Sequence, residues 1–300
     1  MDGCGRSTES RGLSRTYQGS LDRYATTQRP RTDGHGRGTR RVIRTDAVSP
    51  WLRRQATVRT PESVVIRLFC FPYAGGAANV FRAWAALAGA RVDLVAIQLP
   101  GHGDRLMEPP IARLSALVPQ LADEIRPHTD LPFAFFGHSL GALAAFELTR
   151  ELRRTATALP VHLFVSGRRA PHLIPSKRPL HALPEAAFRS ELRQLQGTPP
   201  AVLDDEELMA LVSPVLRADF GLCETYNYVD EAALDIPLTA FGGKDDAEAT
   251  ADELDAWSLH STKFRGVYVF DGGHFFLNDH AARMVDRIRT DITAASSLPT

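Results

Sequence analysis

The sequence predicts an α/β fold, a mostly parallel sheet flanked by helices, with a helical insertion between its fourth and fifth strands. Three observations carry this. From about residue 64, short apolar runs alternate with helical patterns, as strands buried on both faces of a helix-covered sheet do. Glycine-rich turns follow directly on several of these runs. Finally, the stretch from about 170 to 235 has no convincing strand and carries helical spacing instead.

The chain opens on a different kind of sequence. Up to about Thr60, arginines far outnumber acids, aliphatic residues are sparse, and Gly, Ser and Thr are frequent. Such a segment buries too little apolar surface to offset the entropy of ordering. Residues 1–60 are therefore expected to be a disordered basic extension and 61–300 the folded domain. A basic arm is able to bind nucleic acid, but a dispensable leader is the favoured reading, and no nucleic-acid partner is expected. The segment lacks the apolar stretch of a secretory signal, and Asp2, Glu9 and Asp22 interrupt any transit-peptide pattern. Across the whole chain 35 basic residues balance 35 acidic ones. No apolar run has the length of a membrane span, and Cys4, Cys70 and Cys223 show no metal-ligand spacing. A soluble cytoplasmic protein that acts as a monomer, with no membrane partner, is expected.

Six strands are expected: Val64–Phe71, Val92–Ile97, Phe133–Phe136, Val161–Val165, Leu238–Phe241 and Val267–Phe270. Between them, helices are expected at Asn79–Leu87, Ala112–Ile125 and after Ser139, with a closing one from His280 to Ile292. Inside the insertion, Pro184–Leu195 and Asp204–Leu216 have apolar residues at helical spacing, and Asp204 is the expected N-cap. An insertion at this place suits a lid over the active-site edge.

Gly137-His138-Ser139-Leu140-Gly141 joins the third apolar run to an alanine-rich helical stretch. This is G-x-S-x-G in its strand–turn–helix setting, which holds a serine hydroxyl exposed above the sheet edge. Such a serine needs a histidine base oriented by a carboxylate, and in chain order the acid and then the base follow the nucleophile. Asp271-Gly272-Gly273-His274 after the last strand makes His274 the base, and Gly242-Gly243-Lys244-Asp245-Asp246 offers two acids. Asp246 is preferred and Asp245 stays open. His138 is expected to pack and hydrogen-bond around the elbow. The oxyanion hole needs two backbone N–H groups. Leu140, just after the nucleophile, supplies one, and Ala74, in the loop Phe71-Pro72-Tyr73-Ala74-Gly75-Gly76, the other.

Together these segments resemble the type II thioesterases that accompany polyketide synthases and nonribosomal peptide synthetases. Also shared are Gln98-Leu99-Pro100-Gly101, Arg105-Leu106-Met107-Glu108-Pro109-Pro110, Leu216-Arg217-Ala218-Asp219-Phe220 and Gly272-Gly273-His274-Phe275-Phe276-Leu277. The resemblance runs from about residue 63 to 293. It implies an α/β-hydrolase fold with Ser139, Asp246 and His274 as the triad and Ala74 and Leu140 as oxyanion donors. It further implies hydrolysis of acyl groups from the phosphopantetheine arm of acyl or peptidyl carrier proteins, in an editing role and with no cofactor. Where the family commonly has His, Arg and Pro, this chain has Tyr73, His102 and Ala247. The alternatives on the same fold are a general carboxylesterase or lipase, or an acyltransferase.

Overall fold

The computed structural model describes residues 49–55, 64–174 and 179–296. In chain order the strands are β1 (Leu52–Arg54), β2 (Ile66–Phe71), β3 (Val92–Ile97), β4 (Phe133–His138), β5 (His162–Ser166), β6 (Leu234–Gly243) and β7 (Ser261–Phe270). The helices are α1 (Arg82–Ala88), α2 (Leu114–Ile125), α3 (Leu140–Arg154), α4 (Glu185–Leu195), α5 (Pro200–Leu203), α6 (Glu206–Glu224), α7 (Ala251–Asp255), α8 (Phe276–Asp279) and α9 (Ala281–Ser296). The sheet order is β1-β3-β2-β4-β5-β6-β7, parallel throughout except for β1 against β3.

The central strands β2, β3, β4 and β5 are buried at every residue, so each face needs a cover. On one face Trp84 of α1 and Met284, Ile288 and Ile292 of α9 pack on Leu68, Cys70 and Phe136. On the other, Leu117, Leu121 and Ile125 of α2 and Leu143 and Phe146 of α3 pack on Phe69, Phe135 and Val165. Near-continuous apolar strands are thus explained by helices on both sides.

Each predicted strand and helix has its counterpart, with two strands longer than expected. β6 begins at Leu234 and β7 at Ser261. β7 lies at the edge, where its first half exposes Thr262, Lys263 and Arg265, so no apolar run marked it.

The N-terminal boundary needs correction. The expected disordered extension was drawn to residue 60, but Leu52–Arg54 pairs with Val95–Ile97. Trp51 and Leu52 are buried, and the Arg105 guanidinium lies 4.6 Å from the centre of the Trp51 ring. Two large apolar side chains help to anchor this short edge strand, although the surrounding composition is that of a leader. The rest of the segment, 1–48 and 56–60, lies outside the described residues.

The insertion between β5 and β6 holds α4, α5 and α6, packed on each other through Phe188, Leu192, Leu203, Met209 and Leu216. Helix α6 is capped by Asp205, whose side chain accepts from the Leu208 N–H at 2.9 Å. Asp204, the expected cap, instead pairs with Arg193 at 2.6 Å. Both aspartates satisfy the same sequence rule, but only Asp205 has the extended backbone of an N-cap (φ −99°, ψ 119°), while Asp204 is helical (φ −90°, ψ −13°).

Candidate active site

Ser139 stands between β4 and α3 with φ +54° and ψ −114°, a region that costs a non-glycine residue roughly 1–3 kcal/mol. Its own amide is held by the Ser166 carbonyl at 2.8 Å, and its carbonyl accepts from Ala142 at 3.1 Å. The turn is also crowded. A Cβ at Gly141 would overlap the Phe71 carbonyl oxygen, so only glycine lets the start of α3 come this close to the loop after β2.

At the next sheet edge, His274 and Asp246 meet. The imidazole Nδ1 lies 2.9 and 3.1 Å from the two Asp246 carboxylate oxygens. The Asp246 side chain is fully buried, and its Oδ1 also accepts from the Glu248 N–H at 2.8 Å. Asp245, the alternative acid, is exposed, and only its backbone N–H joins the turn, bonding the Gly272 carbonyl at 3.0 Å. A carboxylate on Nδ1 fixes the tautomer that leaves Nε2 free to accept a proton.

The loop after β2 brings Ala74 to the same place. Ala74, Ser139 and His274 line one cavity, whose far wall includes Leu192, Leu216 and Phe220 from α4 and α6. The helical insertion thus covers the serine, as expected of a lid. Leu140 is the first residue of α3, so its N–H has no carbonyl partner within the helix. In the β2 loop the Gly76 N–H is bonded to the Tyr73 carbonyl at 2.8 Å, and that of Gly75 to Asp219 at 2.6 Å.

His138 supports the elbow from below. It is fully buried, its Nδ1 lies 2.9 Å from Ser166 Oγ, and its ring centre is 5.0 Å from that of His274. Burial, and then the neighbouring His274, push its pKa well below the ordinary histidine range. A neutral, dry ring is a rigid floor for the loop that carries His274.

Two features of the site were not anticipated. Asp219 and His102 form a buried pair at 2.8 Å beneath the β2 loop. Arg168 and Cys223 also line the cavity, and burial raises the Cys223 thiol above its usual pKa. The residue types gave no signal here, because the partners lie on segments far apart in the chain.

Among the described residues no helix is long and apolar enough to cross a membrane. Comparison with known proteins agrees with the geometry. The family model described as "Thioesterase domain" matches residues 66–292. The gramicidin S biosynthesis protein GrsT of Aneurinibacillus migulanus is 44% identical over 221 residues, covering 74% of this chain and 86% of that one. The thioesterase PikA5 of Streptomyces venezuelae is 37% identical over 250 residues, 83% of this chain and 88% of its own. Among solved structures, the type II thioesterase BorB from the borrelidin biosynthetic cluster superposes with a TM-score of 0.72 at 36% identity. That match covers 80% of this chain and 97% of BorB. The chain belongs to the thioesterase family, as a thioester hydrolase on an α/β-hydrolase fold.

Proposed function

We propose that this protein removes acyl groups from the phosphopantetheine arms of acyl or peptidyl carrier proteins, with Ser139, His274 and Asp246 as its catalytic triad. His274 takes the proton of Ser139 Oγ as that oxygen attacks the thioester carbonyl. The Ala74 and Leu140 N–H groups receive the negative charge of the tetrahedral intermediate. When the intermediate collapses, the C–S bond breaks and His274 returns its proton to the departing thiolate. A water molecule then gives a proton to His274 and attacks the acyl-serine, and the acid leaves as Ser139 regains its hydrogen. Asp246 holds the imidazole tautomer and balances the transient imidazolium. The lid helices α4 and α6 enclose the acyl chain. Apart from the attacking water, all these steps use groups of the chain itself, and no cofactor enters them.

The observation that carries this reading is the His274–Asp246 contact at 2.9 Å on the wall of the cavity that also holds Ser139. Editing, the release of stalled or mis-primed acyl groups, is supported by the company this chain keeps. GrsT is named for gramicidin S biosynthesis, and BorB is a type II thioesterase of a biosynthetic cluster. The test is mass spectrometry of an acyl-loaded carrier protein. Wild-type enzyme is expected to return the free thiol form, and Ser139→Ala to leave the acyl mass in place. Faster hydrolysis of a matched oxygen ester would favour a general esterase, and transfer to an added alcohol or amine would favour an acyltransferase.

A further inference from the structure

Lid helix α6 does more than roof the cavity: it bears directly on the loop that carries Ala74. Asp219 of α6 is 1% exposed, and its Oδ2 accepts the Gly75 N–H at 2.6 Å. One turn earlier, Leu216 closes on the same residue, where a Cβ at Gly75 would lie 2.6 Å from the leucine Cδ2. Gly75, at φ +77°, is the only residue type that accepts both this conformation and this approach. The peptide joining Ala74 to Gly75 is therefore clamped by one face of the lid helix.

The other partner of Asp219 is His102, 4% exposed, whose Nε2 lies 2.8 Å from the same Oδ2. The second ring nitrogen, Nδ1, faces the Pro100 carbonyl oxygen at 3.1 Å. Both ring nitrogens thus point at acceptors. A neutral imidazole has one N–H and would set its lone pair against an oxygen, whereas the imidazolium donates to both. The arrangement is that of a buried ion pair, in which His102 cancels the Asp219 charge beside the oxyanion loop.

We propose that Asp219, charge-balanced by His102, is a positioning residue that sets the oxyanion loop, so that lid seating and the protonation of His102 both govern the reactivity of Ser139. This rests on the reading of Ala74 as an oxyanion donor. Loss of the His102 proton leaves an uncompensated carboxylate next to the place where negative charge develops, and that opposes the transition state. Burial alone would lower the His102 pKa, but the hydrogen bond and charge of Asp219, together with the Pro100 and Leu99 carbonyls, outweigh it and hold the pKa above the ordinary histidine range. The surrounding groups leave this balance intact. Arg105 is taken up by Glu108 and the Gln98 carbonyl, and Asp104 by Arg53 at the surface. The Cys223 thiol, one turn from Asp219, and the Tyr73 hydroxyl are both pushed upward by burial. Activity is therefore expected to fall on the alkaline side as His102 deprotonates.

The test uses a small fluorophosphonate, because it reads the serine and the oxyanion hole without any choice of acyl substrate. Ser139 Oγ forms the bond to phosphorus, fluoride leaves, and the serine proton passes to His274. In the full-length protein the phosphonylation rate is expected to show an alkaline fall. Asp219→Asn should be slower by about 10-fold or more at all pH values, less than the 100-fold scale of a whole oxyanion donor, and without that fall. His102→Arg, a permanent cation, should remove the alkaline fall. His102→Gln, which keeps one N–H toward Asp219 but no charge, should also be pH-independent there and slow throughout. Cooperative melting of each variant separates the effect from misfolding. An Asp219→Asn rate within twofold of wild type, or an alkaline fall that survives in both His102 variants, overturns the proposal. A wild-type Ser139 that resists the probe overturns it together with the triad. Labelling as expected without hydrolysis of carrier-bound thioesters leaves the positioning role standing and removes only the substrate reading.

Discussion

At the scale of single residues, the geometry of the site was legible wherever it depends on local sequence and illegible wherever it depends on a remote partner. Gly137 to Gly141 announced the elbow because a sharp strand-to-helix turn demands those residue types in that order. The Gly272-Gly273-His274 loop was readable for the same reason. Asp245 and Asp246 were not separable, since both occupy one turn and sequence does not say which way each carboxylate faces. The backbone decides. The Asp245 N–H is spent on Gly272 and its side chain stays in solvent, while the Asp246 carboxylate turns inward to Glu248 N–H and His274. His102 and Asp219, 117 residues apart, were invisible as a pair. A kinetic comparison follows from this. Asp246→Asn is expected to lower kcat by about 1,000- to 10,000-fold, the scale for losing the carboxylate that orients a triad histidine. Asp245→Asn should stay within about twofold. Equal losses in steady-state thioester turnover would mean that the two aspartates share the role.

Elements were predicted best where burial is symmetric. β2 to β5 are enclosed on both faces and read as apolar runs, whereas β1 and the first half of β7 lie at sheet edges and do not. β1 is three residues long in an arginine-rich surround, and it is held by its pairing with β3 and by the buried Trp51 and Leu52 side chains, none of which makes a sequence pattern. Burying two such side chains contributes on the order of 3–5 kcal/mol. A chain starting after residue 60 should therefore melt several degrees below one starting after residue 48, and equal melting temperatures would deny β1 that contribution. The lid offers a second test. Asp205 satisfies an N–H at the start of α6 from an exposed position, so Asp205→Ala should cost about 1 kcal/mol in chemical denaturation. Asp204→Ala, which removes only an exposed ion pair with Arg193, should cost a few tenths at most. The reverse order would restore Asp204 as the cap.

Taken whole, the molecule buries histidines whose charge states pull its stability in opposite directions with pH. His162 lies inside the sheet, stacked on Phe164 at 4.0 Å with its Nε2 2.8 Å from Thr239 Oγ1. Burial, then Arg265 and Arg287, lower its pKa to about 3. His260 is lowered to about 4 by burial, His172 and Arg150, and His138 is lowered as well. An unfolded histidine titrates near ~6.5, so below that pH the unfolded chain binds protons that these sites refuse. Their contribution is complete above pH ~6.5 and is lost as the pH falls toward their folded values, at up to ~1.4 kcal/mol per pH unit for each ring. His102 works the other way. Its raised folded pKa gives stability that is full below ~6.5 and lost as the pH rises through that raised value. Stability should therefore decline on both sides of a neutral maximum, more steeply on the acid side, where three rings act together. His162→Gln, which keeps an amide N–H for Thr239, is expected to lower stability at neutral pH but to flatten the slope between pH 6 and 4 by about 1 kcal/mol per unit. Urea titrations of wild type and variant across that range measure the difference, and parallel slopes would show that His162 takes up its proton in the folded state as readily as in the unfolded one.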